Sequence, residues 1–360
     1  MKIKNLSQVL EGQPKYRYAQ INKFLFQDYI SDWDEASSLP KKLREELSAA
    51  CPLEIKAEVF AAEGRQKTQR ALVYLEDGES VETVLIRQKA DKNKDADYDK
   101  SEDQADKREY RNTVCVSSQI GCPLGCTFCA TGQLGFLRNL SSAEIVEQVV
   151  FWQRLLKAEN VQEKVDNIVF MGMGEPFLNY PEFIKAVKFL NNPETLNIGA
   201  RRMSVSTAGL TEGIKKLAGE KLQINLAISL HAATDSLRQK LMPIAKKYAL
   251  TDIFKSVDDY IKKTGRRVMF EYLMIKGIND SQKDAENLAL LMHKPLYLLN
   301  LIPYNDTGRF QTSSRETIND FKNILEKAGV SVTVRLSFGS DIAAACGQLH
   351  KKNSAVKGRR

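Results

Sequence analysis

The sequence predicts an α/β fold built on a parallel sheet that is closed or partly closed into a barrel. Six short runs rich in β-branched residues alternate with helical segments, and they cover residues 113–118, 167–171, 203–207, 224–230, 267–275 and 297–302. Strands that are joined by helix-length crossovers pair in parallel. The composition agrees, since 43% of the 360 residues are hydrophobic and 27% are charged, as in a globular chain of two or three domains.

A small helical domain is predicted for residues 1–60. Apolar and aromatic side chains recur there at near-helical spacing, at Tyr18, Ile21, Leu25 and Tyr29. Pro40 precedes a second segment rich in Lys, Arg and Glu, as expected at the start of a helix.

A linker of strands and a charged loop is predicted for residues 61–111. Strand-like runs at 70–75 and 80–86 flank the pair Asp77 and Gly78, which is typical of hairpin turns. Residues 87–111 hold eight basic and eight acidic residues and no Val, Ile, Leu, Met or Phe. Because such a segment cannot bury apolar surface, we expect it to be a mobile loop.

The α/β core is expected to span residues 112–349. One helix is marked by a capping box at Ser141 and Glu144, and apolar residues follow along one face at Ile145, Val149 and Trp152. A last strand is predicted at residues 331–336. Ligands of parallel α/β sheets bind at the carboxyl ends of the strands, so the residues that follow each strand are candidates for a site.

Charge and hydropathy restrict the partners and the location. The net charge is +8 and five of the last ten residues are Lys or Arg, so residues 350–360 form a basic tail. This balance fits a nucleic-acid partner, although a solvated chain end has the same composition. The sequence has no apolar run of membrane length and no secretory leader, so we expect a cytoplasmic protein without a membrane partner.

Three of the six cysteines, Cys122, Cys126 and Cys129, lie within eight residues. In a reducing compartment this spacing indicates a metal site. Three thiolates hold a [4Fe–4S] cluster and leave one iron open to a small chelating ligand. Zinc is the alternative, with Cys115 as a fourth ligand, because the three histidines are remote in the sequence.

The cysteine spacing resembles the signature of the radical S-adenosylmethionine (SAM) superfamily, Cys-x3-Cys-x-aromatic-Cys, with Phe128 as the aromatic residue. Further motifs resemble one of its families, the dual-specificity RNA adenosine-C2 methyltransferases. They lie at residues 14–20, 115–122, 171–176, 206–209, 229–231, 300–305 and 341–349. The resemblance implies a partial (β/α)6 barrel core of the radical SAM type, preceded by the helical domain and the hairpin linker.

The resemblance also implies the cofactors and the residues that bind them. Cys122, Cys126 and Cys129 would hold a [4Fe–4S] cluster, and two SAM molecules would be used per turnover. The expected SAM contacts are Gly174, Glu175, Ser206, Ser229, Leu230, His231 and Asn305.

A catalytic route at adenine C2 is implied in the same way. Cys346 would accept a methyl group, a deoxyadenosyl radical would remove hydrogen from it, and the resulting carbon radical would join C2. Glu82 would take the C2 proton, and a disulfide between Cys346 and Cys115 would release the product. The target base must be unpaired or flipped out of its helix.

The expected substrates are 23S rRNA, in its peptidyl-transferase region, and tRNA, at the adenosine 3′ to the anticodon. A flavodoxin-type electron donor and a monomeric enzyme are expected with them. Two alternatives stay open, a C8-adenosine methyltransferase that confers antibiotic resistance and a non-enzymatic zinc RNA-binding protein. The sequence departs from the family at Ser340 and Ala343, near Cys346, and in the length of residues 87–111.

Overall fold

The computed structural model of the protein describes residues 6–61, 68–89, 110–335, 339 and 342–349. The N-terminal part is helical, as predicted, and its helices are α1 (Leu6–Val9), α2 (Lys15–Phe26) and α3 (Lys41–Ala50). Trp33 is buried in this unit, and its indole Nε1 donates to the carbonyl oxygen of Cys51 at 2.8 Å. The helical prediction is wrong at the end of residues 1–60, because Ala57–Ala61 form a strand, β1, that pairs with the hairpin that follows.

A ten-stranded sheet frames the rest of the described chain, with its strands in chain order. Its further strands are β2 (Gln69–Tyr74), β3 (Ser80–Lys89), β4 (Tyr110–Cys115), β7 (Asn167–Phe170), β8 (Met203–Thr207), β9 (Asn225–Ser229), β10 (Val268–Met274), β11 (Tyr297–Pro303) and β12 (Val332–Val334). β5 (Gln119–Gly121) and β6 (Phe136–Asn139) form a separate two-stranded ribbon. β1 to β4 pair antiparallel, and β4 and β7 to β12 pair in parallel.

Helices occupy the connections between the parallel strands. They are α4 (Ala130–Gln133), α5 (Ser142–Glu159), α6 (Tyr180–Asn191), α7 (Thr211–Gly219), α8 (Asp235–Leu241), α9 (Leu250–Thr264), α10 (Gln282–Leu291) and α11 (Arg315–Lys327). The predicted capping box is confirmed, since Ser141 and Glu144 exchange hydrogen bonds at the start of α5. Among the described residues, none of these helices combines the length and apolarity that a membrane crossing requires.

All seven predicted strands of the α/β core are confirmed. The described strands form an open sheet with β1 and β12 at its edges, so the barrel is partial and the closed alternative is wrong. The last strand is shorter than predicted, and residue 336 lies outside the described residues.

The hairpin linker is confirmed as well, and Gly78 takes the left-handed conformation of its turn, with a φ of +83°. The predicted loop of residues 87–111 is shorter than expected at both ends, because β3 continues to Lys89 and β4 begins at Tyr110. Residues 90–109 of that loop and the basic tail at 350–360 lie outside the described residues.

The register of the sheet decides which side chains face the interior of the partial barrel. Trp152 of α5 donates from its indole Nε1 to Thr83 Oγ1 at 3.1 Å, so Thr83 faces the outer helix layer. Side chains alternate along a strand, so Glu82 and Val84 face the opposite, inner side. Val84 lies opposite Cys115 in the pairing of β3 with β4, which places Cys115 on the same inner face.

Replacing Trp152 with Ala is expected to lower the free energy of unfolding by about 3–5 kcal/mol, because the fully buried indole fills the space between α5 and β3. Urea unfolding followed by the fluorescence of Trp33 measures this change. An unchanged midpoint would contradict the packing described here.

Candidate active site

The three clustered cysteines lie on the loop between β5 and α4. Gly125 has a φ of +63°, and this left-handed conformation turns the loop between the first two cysteines. Thr127 N donates to Leu241 O at 2.9 Å, and Ala130 N donates to Gly347 O at 2.7 Å, so neighbouring segments hold the loop in place. One cavity is consequently lined by all three side chains, Cys122, Cys126 and Cys129.

The chemistry of this loop fits an iron–sulfur cluster. Burial raises the pKa of the Cys122 thiol to about 12 and also raises that of Cys129, because burial disfavours the thiolate. Metal binding displaces such protons, since the thiolate is the form that ligates. Three sulfur donors around a cavity that continues into polar groups fit a [4Fe–4S] cluster with one iron free for SAM.

Most of the predicted SAM contacts line the same cavity. They are Gly174, Glu175, Ser206, Ser229 and His231. Asn305 lines the adjoining cavity, where its Nδ2 donates to the carbonyl oxygen of Cys346 at 3.1 Å. The side chain of Leu230 is buried in the core instead, and its backbone N–H donates to Glu271 O at 2.9 Å.

Gly174 and Glu175 line this cavity just after β7. Gly174 has a φ of +97°, and a Cβ there would lie 2.5 Å from Cβ of Gln119, so no larger residue fits without displacing that side chain. The carboxyl oxygens of Glu175 accept from Ala208 N at 2.7 Å and from Phe177 N at 3.0 Å. Burial raises the pKa of Glu175 to about 7, so a bound ammonium group would favour its ionised form.

Sequence analysis missed three charged residues of this region. Glu271 Oε2 accepts from Ser206 Oγ at 2.6 Å, and Arg335 Nη1 lies 3.4 Å from Glu271 Oε1. Arg238 is fully buried, and its guanidinium donates to the carbonyl oxygen of Ala208 at 2.6 Å. An acidic residue inside the apolar run of β10 was the available signal for Glu271, whereas Arg238 lies in an ordinary helix and carried no such signal.

The two cysteines that were predicted to be catalytic line one cavity, next to Arg335. Cys115 is buried at the end of β4, and Cys346 is exposed on the segment after β12. Burial, together with the neighbouring Cys346, raises the pKa of Cys115 to about 12. The pKa of Arg335 is raised as well, chiefly by Cys346, so the structure sets both thiols beside one cation.

Glu82 lies on the inner face of β3 near Cys115, but it is not among the residues that line either of the two cavities. Val84, two residues after Glu82, lies opposite Cys115 in the pairing of β3 with β4. Glu82 is therefore a diagonal cross-strand neighbour of Cys115, with about 7–8 Å between the two residues. Ser117 Oγ donates to the backbone oxygen of Glu82 at 2.6 Å, which ties β3 to the segment before the cluster loop. The carboxyl group is buried and forms an ion pair with Arg70.

Comparisons with known proteins agree with this geometry. Residues 116–289 match the family model described as the radical SAM superfamily. A crystal structure described as a radical SAM methyltransferase from Sphaerobacter thermophilus is 40% identical, has a TM-score of 0.86 and covers 98% of both chains. The fold and the cysteine loop together are thus those of a radical SAM methyltransferase.

Curated relatives identify the family within this class. A ribosomal RNA large subunit methyltransferase N from Nitrosopumilus maritimus (strain SCM1) is 45% identical over 344 residues, which cover 94% of this chain and 93% of that protein. A probable dual-specificity RNA methyltransferase RlmN from Symbiobacterium thermophilum is 39% identical and covers 95% of this chain and 87% of its own length. The chain belongs to the RlmN family of RNA methyltransferases. This membership decides against the non-enzymatic zinc protein.

His231 lies between the cluster loop and β10 with an unusual backbone. Its φ is +59°, its Nδ1 accepts from Leu273 N at 3.1 Å, and its ring meets the edge of Phe128 at a centroid distance of 4.9 Å. Burial, together with the charge of Arg238, lowers the pKa of His231 to about 3. The imidazole is therefore neutral in the folded protein, with Nδ1 as an acceptor.

Replacing His231 with Asn is expected to flatten the pH dependence of stability. Asparagine tolerates the left-handed backbone and keeps an acceptor for Leu273. The folded-state pKa of about 3 lies below the ordinary value of 6.5, so the unfolded chain binds more protons between these values and the wild type loses stability as the pH falls through this window. From pH 7 to pH 5 this loss is about 2 kcal/mol, and the Asn variant lacks it. Urea unfolding at both pH values measures the difference, and equal pH dependence in the two proteins would contradict it.

Proposed function

We propose that this protein methylates C2 of adenosine in 23S rRNA and in tRNA, by way of an S-methylated Cys346. The observation that carries the proposal is the cavity shared by Cys115 and Cys346, which adjoins the cavity of the cluster cysteines. The names of the RlmN relatives support RNA as the substrate.

The chemistry of the target carbon explains why such a site is needed. C2 of adenine lies between two ring nitrogens and is poor in electrons, so it does not attack a sulfonium methyl group, whereas a carbon radical adds to it. When bound, the cluster and two SAM molecules supply the methyl group, the radical and an acceptor for one electron. The chain has to supply a sulfur that carries the carbon, a base and a second thiol.

Cys346 supplies the sulfur. Its thiol is exposed, so it is accessible to the sulfonium methyl group and to RNA, and Arg335 lines the same cavity. The sulfur forms a bond to the methyl carbon while the bond from that carbon to the sulfonium sulfur breaks. The side-chain amide of Asn305 donates to the backbone carbonyl oxygen of Cys346 and so holds this backbone in place.

Glu82 and Cys115 complete the reaction after the S-methylene carbon has joined C2. The adduct gives up one electron, and its C2 proton passes to the Glu82 carboxylate, which restores the aromatic ring. Cys115 then attacks the sulfur of Cys346. The S–S bond forms, the C–S bond breaks with its electron pair on the methylene carbon, and a proton completes the methyl group.

Anaerobic assays of the cluster-loaded protein test the reaction and its position on the base. Reductant, methyl-labelled SAM and protein-free 23S rRNA or tRNA are supplied, and the digested RNA is analysed by mass spectrometry. Label in 2-methyladenosine is the expected result. Label in 8-methyladenosine would assign the protein to the C8 alternative, and RNA without label would contradict both.

Variants of the two catalytic cysteines are expected to stop the reaction at different points. Cys346→Ala abolishes labelling of both protein and RNA, because no sulfur accepts the methyl group. Cys115→Ala still labels Cys346 and joins it to RNA, but the bond is not released, so a covalent adduct remains on a denaturing gel. Cys51→Ala is the matched control, since Cys51 is a buried thiol of the N-terminal unit. Release of product by Cys115→Ala at the wild-type rate would contradict the assignment.

The cytoplasmic location, the monomeric state and the flavodoxin-type electron donor belong to the same proposal. Reduced iron–sulfur chemistry and RNA substrates both support a reducing compartment. Size-exclusion chromatography with light scattering tests the oligomeric state, and reduction of the cluster by purified flavodoxin tests the donor.

A further inference from the structure

Two buried arginines stand out in the antiparallel part of the sheet, Arg70 on β2 and Arg87 on β3. Each pairs with a glutamate and each lies over an aromatic ring, Phe60 for Arg70 and Tyr110 for Arg87. Buried arginines are costly unless they are paired, so both pairings need an explanation. Neither residue belongs to the site predicted from the sequence.

Arg87 has a structural explanation. Its Nη1 donates to Glu159 Oε2 at 2.6 Å, and its Nε donates to Asn112 Oδ1 at 3.2 Å. Glu159 is the last residue of α5, so Arg87 joins the end of this helix to β3 and β4. It does so on the outer face of the sheet, the face of Thr83 and Trp152.

Arg70 lies on the inner face instead, in line with Cys115. In the strand pairings Arg70 lies opposite Val84, and Val84 lies opposite Cys115, so the three residues form one row across β2, β3 and β4. Two strand spacings separate the Arg70 and Cys115 backbones by about 10 Å. Arg70 therefore belongs to the wall that also carries the predicted base, Glu82.

The contact between Arg70 and Glu82 is made by one nitrogen, Nη1, with Glu82 Oε1. Both side chains are almost fully enclosed, with 8% of Arg70 and 1% of Glu82 exposed to solvent. The ring of Phe60 lies 4.6 Å from the guanidinium carbon and fixes its orientation. A buried charge is stable only where it is paired, and Arg70 forms the ion pair with this buried carboxyl group.

We propose that Arg70 is a positioning residue for the reaction, holding the Glu82 carboxylate in its ion pair and in the orientation in which it removes the C2 proton of the protein–RNA adduct. This rests on the proposed function, in which Glu82 is the base. Arg70 itself touches neither RNA nor cofactor in this scheme. Its loss leaves the methylation of Cys346 intact and slows the step at which the adduct loses its proton.

The test compares Arg70→Met with Arg87→Met in the full-length, cluster-loaded protein. Three quantities are measured anaerobically with methyl-labelled SAM and 23S rRNA: label on Cys346, covalent adduct on a denaturing gel, and 2-methyladenosine released. Arg70→Met is expected to label Cys346 at the wild-type rate, to accumulate adduct and to release product about 100-fold more slowly, the usual contribution of a general base. Arg87→Met is expected to lower the melting temperature without accumulating adduct.

Arg70→Lys is the conservative variant. Because Arg70 uses a single nitrogen on Glu82, an ammonium group can replace that contact, and we expect product release to recover at least in part. Two results together would overturn the positioning role: Arg70→Met accumulates no adduct, and its loss of product is explained by its lower melting temperature, as in Arg87→Met.

Glu82→Gln separates this inference from the proposed function. Accumulation of adduct in both Glu82→Gln and Arg70→Met supports Glu82 as the base and Arg70 as its positioning residue. Adduct in Glu82→Gln but not in Arg70→Met leaves Glu82 as the base and removes Arg70 from the mechanism. No adduct in Glu82→Gln, with normal product release, overturns the base assignment and the role of Arg70 with it.

Discussion

One buried cation holds together the carboxyl ends of β8 and β9. The guanidinium of Arg238 donates to four backbone oxygens, those of Ala208 at 2.6 Å, Leu230 at 3.1 Å, Ser229 at 3.2 Å and Tyr248 at 3.3 Å. Burial lowers the pKa of Arg238 to about 10, which still leaves it charged at neutral pH. One side chain thus bonds four backbone oxygens from three segments that adjoin the cofactor cavity, so this wall of the cavity depends on it.

A second group of charges joins the two cavities. Glu271 accepts a hydrogen bond from Ser206 in the cofactor cavity and also contacts Arg335. Arg335 lines the second cavity, together with Cys115 and Cys346. Interactions between buried charges are only weakly screened, so a change of charge at one cavity is felt at the other. In the proposed reaction, the steps at Cys346 and the binding of a charged cofactor would be coupled through Glu271 and Arg335.

Local patterns explain what could be predicted from the sequence. The β-branched runs became strands, the capping box at Ser141 began α5, and the cluster cysteines are close in space because they are close along the chain. β1 was missed because its five residues show no alternation of apolar and polar side chains, and it is a strand only through its pairing with β2. Arg335 and Glu271 are 64 residues apart in the sequence, and no local pattern encodes such a contact.

The role of Glu82 likewise could not be predicted from a local sequence pattern. A single glutamate in a strand is ordinarily a solvated residue, so its role could be expected only from the family resemblance. Its burial depends on Arg70, twelve residues away on the neighbouring strand, and on the face that the register assigns to it. The register of a strand is fixed by the whole sheet, so the short motif around Glu82 does not show which face its side chain occupies.

In the proposed reaction, which ends with a disulfide between Cys115 and Cys346, the contrast between a buried Cys115 and an exposed Cys346 has a consequence for the recovery of the enzyme after each turnover. A small thiol that approaches the disulfide reaches the sulfur of Cys346 first, so the mixed disulfide forms there and Cys115 is the leaving group. The high pKa of Cys115 makes it a poor leaving group, and a second exchange must still free Cys346. The supply of reducing thiols in the cell would then set how soon the next methyl group can be accepted, which ties the extent of RNA modification to the redox state of its surroundings.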